Sequence, residues 1–158
     1  MRKVFSNILH DYMAIADNIV VIVGDLGYGL WDKIRIDYAD RFYNVGSSEN
    51  LMVGTAIGMA MENKIPIVYS ITPFLLYRPF EMIRNYIDHE SIPVKLVGGG
   101  RDKDYGYLGF SHWGHDDKRI MSCFDNVIKS HPEDEEELRD NFEQFLFNEK
   151  PYYLNLKR

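Results

Sequence analysis

Several features that mark whole classes of protein are scarce in this 158-residue sequence. Its one cysteine, Cys123, cannot form an intrachain disulfide. It has no Lys/Arg-rich block, and 18 Lys and Arg against 24 Asp and Glu give a net charge of −6, which argues against nucleic acid or an anionic membrane as the main partner. It has no charged-then-apolar secretory signal and no apolar run of transmembrane length. We therefore expect a protein of the reducing cytoplasm that binds a small molecule or another protein.

The composition is that of an ordinary folded domain. Hydrophobic residues make up 46% of the chain and aromatic residues 14%, which is enough to bury a sizeable core. The sequence contains no linker, internal repeat or low-complexity stretch. We therefore predict that residues 1–158 form a single domain.

Strand-like and helix-like segments alternate along the chain. The first strand, Ile19–Val23, is an uninterrupted β-branched run, which is typical of a parallel strand buried on both faces. Further strands are predicted near residues 41–45, 65–70, 94–97, 126–129 and 152–156. Helices are predicted near residues 3–16, 48–61, 74–88, 117–123 and 133–147. This order predicts an α/β fold, with a mostly parallel sheet of about six strands and helices on both faces.

A glycine-rich turn, Gly24–Gly29, directly follows the first strand. Such turns offer backbone N–H groups to phosphate, so a nucleotide-binding α/β domain is one interpretation. The spacing of the glycines, however, matches neither the dinucleotide pattern nor the P-loop pattern. A structural turn at the strand end is the favoured interpretation.

The segment from Arg41 to Ala60 combines a strand, a sharp turn and a helix that contains several very small residues. Glu49 lies in the first helical turn, where the helix dipole favours a carboxylate and where Ser47 or Ser48 can cap free N–H groups. Glycines inside a helix cost about 1 kcal/mol each relative to alanine and often mark the close approach of another backbone. The small residues Gly54, Ala56, Gly58 and Ala60 therefore predict that something packs tightly against this helix.

The sequence from Asn44 to Ala60 resembles the pyrimidine-binding domain of transketolase-like thiamine-diphosphate enzymes. That family carries Asn-x-Gly-x-x-Glu-x-x-Met-x-Gly-x-Ala-x-Gly-x-Ala at this place. Three further segments match the family and occur along the chain in the family's order. They are Asp25-Leu26, Pro73–Arg78 and Leu108–Asp117. The last of these resembles the family's Gly-x-Thr-His-x-x-x-Glu-Asp loop. The resemblance covers nearly the whole chain, but only one of the family's domains.

The resemblance implies that thiamine diphosphate is the cofactor. Glu49 matches the glutamate that hydrogen-bonds N1′ of the aminopyrimidine and promotes the imino tautomer, which removes the thiazolium C2 proton. Such a carboxyl group has to be sheltered from water, and Met52 is expected to line the same pocket. Glu49 is thus the predicted activator of the cofactor.

The resemblance also implies an aromatic side chain that stacks on the pyrimidine, and a histidine at the substrate. Phe74 is the first choice for the aromatic, Tyr77 the second, and Phe80 remains an alternative. A purely structural role in the core is an equal alternative for these rings. His112 matches the family's histidine that faces the reacting carbon, where it can donate to a substrate oxygen or relay a proton.

No metal site is predicted in this chain. His115 follows His112 at three-residue spacing, but no other Cys, His or carboxylate lies nearby at convincing ligand spacing. The sequence also lacks the Gly-Asp-Gly motif and downstream Asn-Asn pair by which thiamine-diphosphate enzymes hold magnesium and diphosphate. We therefore expect a separate diphosphate-binding transketolase subunit to hold Mg²⁺ and the diphosphate.

Together these features predict the pyrimidine-binding subunit of a two-chain, transketolase-like transferase. The expected reaction moves a two-carbon or acyl unit from a ketose or 2-oxo acid to an aldehyde. Within the family, pyrimidine domains meet through the glutamate-bearing helix, so self-association through residues 49–61 and a two-plus-two assembly are expected. The alternatives are a 2-oxo acid dehydrogenase beta-type subunit, a decarboxylase subunit, and a noncatalytic interaction subunit that has kept the fold.

Overall fold

The computed structural model describes residues 1–158 and contains one six-stranded sheet. Its strands are β1 Ile19–Val23, β2 Phe42–Asn44, β3 Ile65–Ile71, β4 Lys95–Gly99, β5 Ile128–Ser130 and β6 Tyr152–Leu156. They lie in the order β2-β1-β3-β4-β6-β5, and every neighbouring pair is parallel. The predicted parallel sheet of about six strands is therefore confirmed.

Helices cover both faces of this sheet. They are α1 Arg2–Met13, α2 Asp32–Asp37, α3 Glu49–Met61, α4 Thr72–Tyr77, α5 Phe80–Met82, α6 Asp117–Met121, α7 Glu135–Asp140 and α8 Phe142–Phe147, with a π-helical segment at Ile83–His89 and 3₁₀ turns at Ala39–Arg41, Gly106–Leu108 and Phe110–His112. One buried cluster packs α1, α2, α7 and α8 against one face of the sheet. A second buried cluster packs α3, α4 and α6 against the other face. No helix has the length and apolar character needed to cross a membrane.

The interior strand β1 shows why both faces of the sheet have to be covered. All five of its residues are buried. Val21 and Val23 belong to the cluster under α1, whereas Ile22 belongs to the cluster under α3. An uninterrupted apolar strand is stable only between two layers of helices, as the sequence pattern predicted.

Two predicted long helices are each broken into shorter pieces. The helix predicted near residues 74–88 divides at Pro79, which has no N–H group to donate to the preceding turn. The helix predicted near residues 133–147 divides at Asn141, whose side-chain amide donates to the carbonyl oxygen of Glu137 at 2.9 Å. The short helix α2 was not predicted, because its six residues carry too little periodic signal.

The strand order also fixes the place of a site. The chain leaves β1 toward β2 on one side, and the later strands are added beyond β3 on the other side. In open parallel sheets, the loops diverge at such a reversal and leave a crevice at the carboxyl ends of the strands. The segments singled out by the sequence, including residues 24–29, 44–49 and 72–78, follow β1, β2 and β3 at this edge.

Candidate active site

Glu49 is a buried carboxylate at the amino terminus of α3. Its side chain is only 2% exposed, and Ser70 at the end of β3 contacts its Oε1 atom at 3.5 Å. Ser48 is the N-cap residue, but its side chain makes no capping hydrogen bond, so the predicted serine cap is wrong. The helix terminus offers Glu49 a favourable dipole, and its burial keeps the carboxylate away from bulk water.

The turn before Glu49 is held by Asn44. Its Oδ1 atom accepts hydrogen bonds from the backbone N–H groups of Asp25 at 2.9 Å and Gly46 at 3.0 Å, and its Nδ2 atom donates to Asp25 Oδ1 at 3.1 Å. Gly46 has a φ of +72°, a conformation that favours glycine. The Asn-x-Gly part of the motif therefore ties the loop after β1 to the start of α3.

Arg78 is the direct partner of Glu49. Its Nη1 atom lies 2.8 Å from Oε1 and 2.8 Å from Oε2 of Glu49. Its Cζ atom lies 3.9 Å from the centroid of the Phe74 ring. The sequence analysis did not select Arg78 as a site residue, although its position four residues after Phe74 is the spacing that places two side chains on the same helix face.

Phe74 also brings His112 into the site. The two rings meet edge to face, with 4.9 Å between their centroids and an angle of 69° between their planes. The Nδ1 atom of His112 lies 3.0 Å from Ser111 Oγ, and the Tyr105 ring is 6.4 Å away. Glu49, Arg78, Phe74 and His112 thus form one continuous row of contacts.

The other two aromatic alternatives point elsewhere. Tyr77 is 52% exposed, and its hydroxyl donates to Asp116, which raises the pKa of the phenol. The Phe80 ring packs against Phe124 in the second core cluster, with 5.2 Å between centroids. Of the three rings, Phe74 is therefore the one that contacts Arg78, the partner of Glu49.

Met52 and Gly24 close the inner side of the site. Met52 is fully buried. A Cβ atom at Gly24 would lie 3.6 Å from Met52 Sδ and 3.7 Å from Glu49 Oε1, at ordinary van der Waals distance, so Gly24 lies against both residues. At the end of the Gly24–Gly29 turn, the Leu30 N–H donates a hydrogen bond to Gly27 O at 2.9 Å.

A buried polar network anchors the segments that carry Phe74 and His112. Asn155 in β6 donates through Nδ2 to Thr72 Oγ1 at 3.1 Å and to the Tyr153 hydroxyl at 3.0 Å. The Tyr153 hydroxyl donates to Asp117 Oδ2 at 2.9 Å, and His131 Nε2 lies 2.8 Å from the same atom. Burial opposes ionisation of Asp117, but these hydrogen bonds outweigh it and lower the pKa of its carboxyl. The sequence signal for this network was an asparagine inside an otherwise apolar strand.

Metal ligands are not clustered anywhere in residues 1–158. No group of three or more His, Cys, Asp or Glu side chains is arranged to hold a metal ion. His115 contacts aromatic rings instead, at 5.8 Å from Phe110 and 6.1 Å from Trp113 between centroids.

Comparison with known proteins gives this geometry a context. The sequence profile of the family described as "Transketolase, pyrimidine binding domain" matches residues 1–158. The chain is 28% identical over 159 aligned residues to a putative transketolase C-terminal section of Methanocaldococcus jannaschii, covering 100% of this chain and 50% of that protein. It is 30% identical over 120 residues to an apulose-4-phosphate transketolase subunit of Actinobacillus succinogenes, covering 76% of this chain and 39% of that protein.

A solved structure shares the same fold. The protein described as "Split gene transketolase, inactive beta4 tetramer" superposes with a TM-score of 0.86 at 26% identity, covering 99% of this chain and 51% of that one. The chain thus spans about half the length, or less, of these relatives. With a family match over its full length and a buried glutamate where the motif places it, the chain belongs to the transketolase pyrimidine-binding domain family.

Proposed function

We propose that residues 1–158 form the pyrimidine-binding domain of a two-chain, thiamine-diphosphate-dependent transferase of the cytoplasm. The observation that carries this proposal is the buried Glu49 carboxylate, which lies in one row of contacts with the Phe74 ring and His112. A sheltered carboxylate, an aromatic face and a titratable imidazole are the groups that an aminopyrimidine and a reacting carbonyl require.

The residues present fit that cofactor. When bound, thiamine diphosphate supplies the carbon nucleophile for cleavage and formation of a carbon–carbon bond. Glu49 shares a proton with the ring nitrogen, and its burial keeps water from competing for that proton. Phe74 provides the stacking face that orients the ring. His112, at the edge of Phe74, donates a hydrogen bond or a proton to the substrate oxygen.

A partner chain completes the site in this proposal. The sequence has no Gly-Asp-Gly motif with a downstream Asn-Asn pair, and in this proposal another polypeptide supplies the Mg²⁺ and diphosphate contacts. Two relatives support this arrangement through their descriptions, one as a transketolase subunit and one as a split gene transketolase. The transferred unit in this proposal is a two-carbon or acyl group, which passes from a ketose or 2-oxo acid to an aldehyde.

The outer face of α3 is the proposed contact between two copies of this chain. Leu51 is 55% exposed and Met61 is 68% exposed on this helix, and a Cβ atom at Gly58 would meet no other atom within 4 Å. Apolar and small residues on an open face allow a second helix to approach closely. A pair of these chains with two diphosphate-binding chains then forms a two-plus-two assembly.

The proposal is tested with Glu49→Gln in the reconstituted two-chain enzyme. The diphosphate-binding chain is sought in the neighbouring open reading frame, and C2–H/D exchange of bound thiamine diphosphate is followed by NMR. The amide keeps the shape of the carboxylate but cannot share its proton, so exchange should slow by at least about 100-fold. Glu62→Gln, an exposed change at the other end of the same helix, is the matched control and should exchange like wild type.

Two results would contradict the proposal. Exchange in Glu49→Gln as fast as in wild type would remove Glu49 as the activator. Tight, magnesium-dependent cofactor binding with turnover by this chain alone would overturn the two-chain arrangement.

A further inference from the structure

The Arg78 side chain makes two contacts at once in the candidate site. One guanidinium nitrogen donates to both oxygens of Glu49 at 2.8 Å, and the guanidinium carbon lies 3.9 Å above the Phe74 ring. A guanidinium is planar, delocalised and rich in N–H donors, so it both stacks on an aromatic face and pairs with a carboxylate. Arg78 thereby occupies the polar end and the aromatic wall of the site together.

These are also the two contacts that the proposed function assigns to the aminopyrimidine, and the inference rests on that function. A planar ring that stacks on Phe74 and hydrogen-bonds Glu49 needs the space in which the guanidinium lies. Carbon atoms in van der Waals contact are about 3.5–4.0 Å apart, so the 3.9 Å between Arg78 Cζ and the Phe74 centroid leaves no room for a second ring. The arginine and the pyrimidine exclude each other.

The burial of the two partners determines which of them can move. The Arg78 side chain is 45% exposed, whereas that of Glu49 is 2% exposed. Arg78 can therefore swing into solvent, but Glu49 stays inside. A buried carboxylate without a partner is costly, so Arg78 leaves readily only when the incoming ring offers a basic nitrogen that takes up a proton and shares it with Glu49.

We propose that Arg78 competes with the aminopyrimidine for Glu49 and Phe74, and thereby sets how tightly this chain binds its cofactor and which rings it accepts. Rings with a basic nitrogen that shares a proton with Glu49 displace the arginine, and rings without one do not. Only molecules in which the Arg78–Glu49 ion pair is open can bind the ring. The apparent affinity is therefore the intrinsic affinity multiplied by the fraction of such molecules. An ion pair formed in about nine molecules of ten weakens binding about tenfold.

The test uses thiamine, which carries the aminopyrimidine but no diphosphate and so needs no partner chain. Calorimetry compares wild type with Arg78→Met, which keeps an unbranched apolar stem but removes the guanidinium and its donors. Arg78→Gln keeps one neutral donor and serves as a second variant. Arg84→Met is the matched control, since Arg84 is an exposed arginine that bonds its own neighbour Asn85.

The competition predicts tighter thiamine binding by about tenfold in Arg78→Met, an intermediate gain in Arg78→Gln, and no change in Arg84→Met. NMR gives a second readout, because thiamine should shift the Arg78 guanidinium N–H signals of wild type from their ion-paired positions toward those of a solvent-exposed arginine. Circular dichroism establishes that each variant is folded.

The outcomes separate this inference from the proposed function. If wild type binds thiamine and Arg78→Met binds it equally or more weakly, or if the Arg78 signal does not move, the competition is refuted while Glu49 remains the pyrimidine partner. If neither wild type nor Arg78→Met binds thiamine at millimolar concentration, the competition and the proposed function both fail.

Discussion

Removing the hydroxyl of Tyr153 should destabilise the fold, because this group belongs to the polar network that anchors the site. Tyr153 is fully buried in β6, and burial beside Asp117 raises the pKa of its phenol well above the ordinary value of 10.0, so the hydroxyl keeps its proton near neutral pH. It donates to Asp117 and accepts from Asn155. Tyr153→Phe removes this hydroxyl and changes nothing else in the side chain.

The magnitude follows from the groups that lose a partner. One N–H of the Asn155 amide is left unpaired in the core, which costs about 1–3 kcal/mol, and the Asp117 carboxylate loses one of its charge-assisted hydrogen bonds. Asp117 keeps its contact with His131 and the N–H of Lys118, so the loss is partial. We expect the free energy of unfolding to fall by about 2–4 kcal/mol, which for a chain of this length lowers Tm by roughly 4–16 °C.

Urea unfolding of wild type, Tyr153→Phe and Tyr43→Phe measures this effect. Tyr43 is the matched control, because its hydroxyl also makes one hydrogen bond, to Asp40 O at 2.8 Å, but is exposed to solvent. It should change the free energy of unfolding by less than about 0.5 kcal/mol. The slope of the free energy of unfolding against urea concentration should stay the same in all three proteins, since none of the changes alters the surface exposed on unfolding.

The pH dependence provides a second measurement of the same network. The hydrogen bonds from His131 and Tyr153 hold the pKa of Asp117 below its ordinary value of 3.8, against the opposing effect of burial. This stabilisation is present above pH 3.8 and is lost as the pH falls through the lowered pKa of the folded state. The free energy of unfolding should therefore fall less steeply with decreasing pH in Tyr153→Phe than in wild type. If Tyr153→Phe unfolds like Tyr43→Phe at every pH, the network does not support the fold and this reasoning is refuted.

Three further predictions concern a buried lysine, the site histidine and the outer face of α3. Burial lowers the pKa of Lys95 from 10.5 to about 8, so the unfolded chain binds more protons than the folded chain between these pH values. The free energy of unfolding of wild type, relative to that of Lys95→Met, should therefore rise by up to about 3 kcal/mol from pH 8 to pH 10.5. Parallel curves in denaturant titrations across that range would contradict this assignment. His112→Ala should depress turnover of the reconstituted enzyme and leave the Kd for thiamine diphosphate within about twofold, and a collapse of affinity with normal turnover per bound cofactor would make the histidine structural. Gly58→Arg should convert the self-associated chain to monomer in analytical ultracentrifugation, because the new side chain blocks the proposed helix contact, and a dimer that persists would place the interface elsewhere.

Local sequence patterns were sufficient for the main features of the fold. The β-branched run at Ile19–Val23 predicted a strand with two apolar faces, because an unbroken run of this kind cannot be stable with one side in water. The Asn-x-Gly-x-x-Glu motif located the turn and the start of α3, and part of that turn is local, since Asn44 accepts a hydrogen bond from the backbone N–H of Gly46 two positions away. Predictions of this kind succeed where the interacting groups are neighbours in the chain.

The arrangement of the site was decided by contacts between residues that are distant in the sequence. Pro79 interrupts the helix after Phe74, and the break leaves Phe80 in the core beside Phe124 and Tyr77 facing outward, so that Phe74 is the ring that packs on Arg78, the partner of Glu49. Periodicity could not distinguish these three rings, because all of them lie at plausible helical spacing.

The buried polar contacts show the same limit most clearly. Arg78 reaches Glu49 across 29 positions, and Asn155 reaches Thr72 across 83. No local pattern distinguishes these partners from other polar residues, because the pairing depends on which strands lie side by side at the carboxyl edge of the sheet. The sequence by itself therefore determined the family, the sheet and the glutamate, and only the tertiary structure decided that an arginine covers that glutamate, since the folded backbone alone brings the two charges to hydrogen-bonding distance.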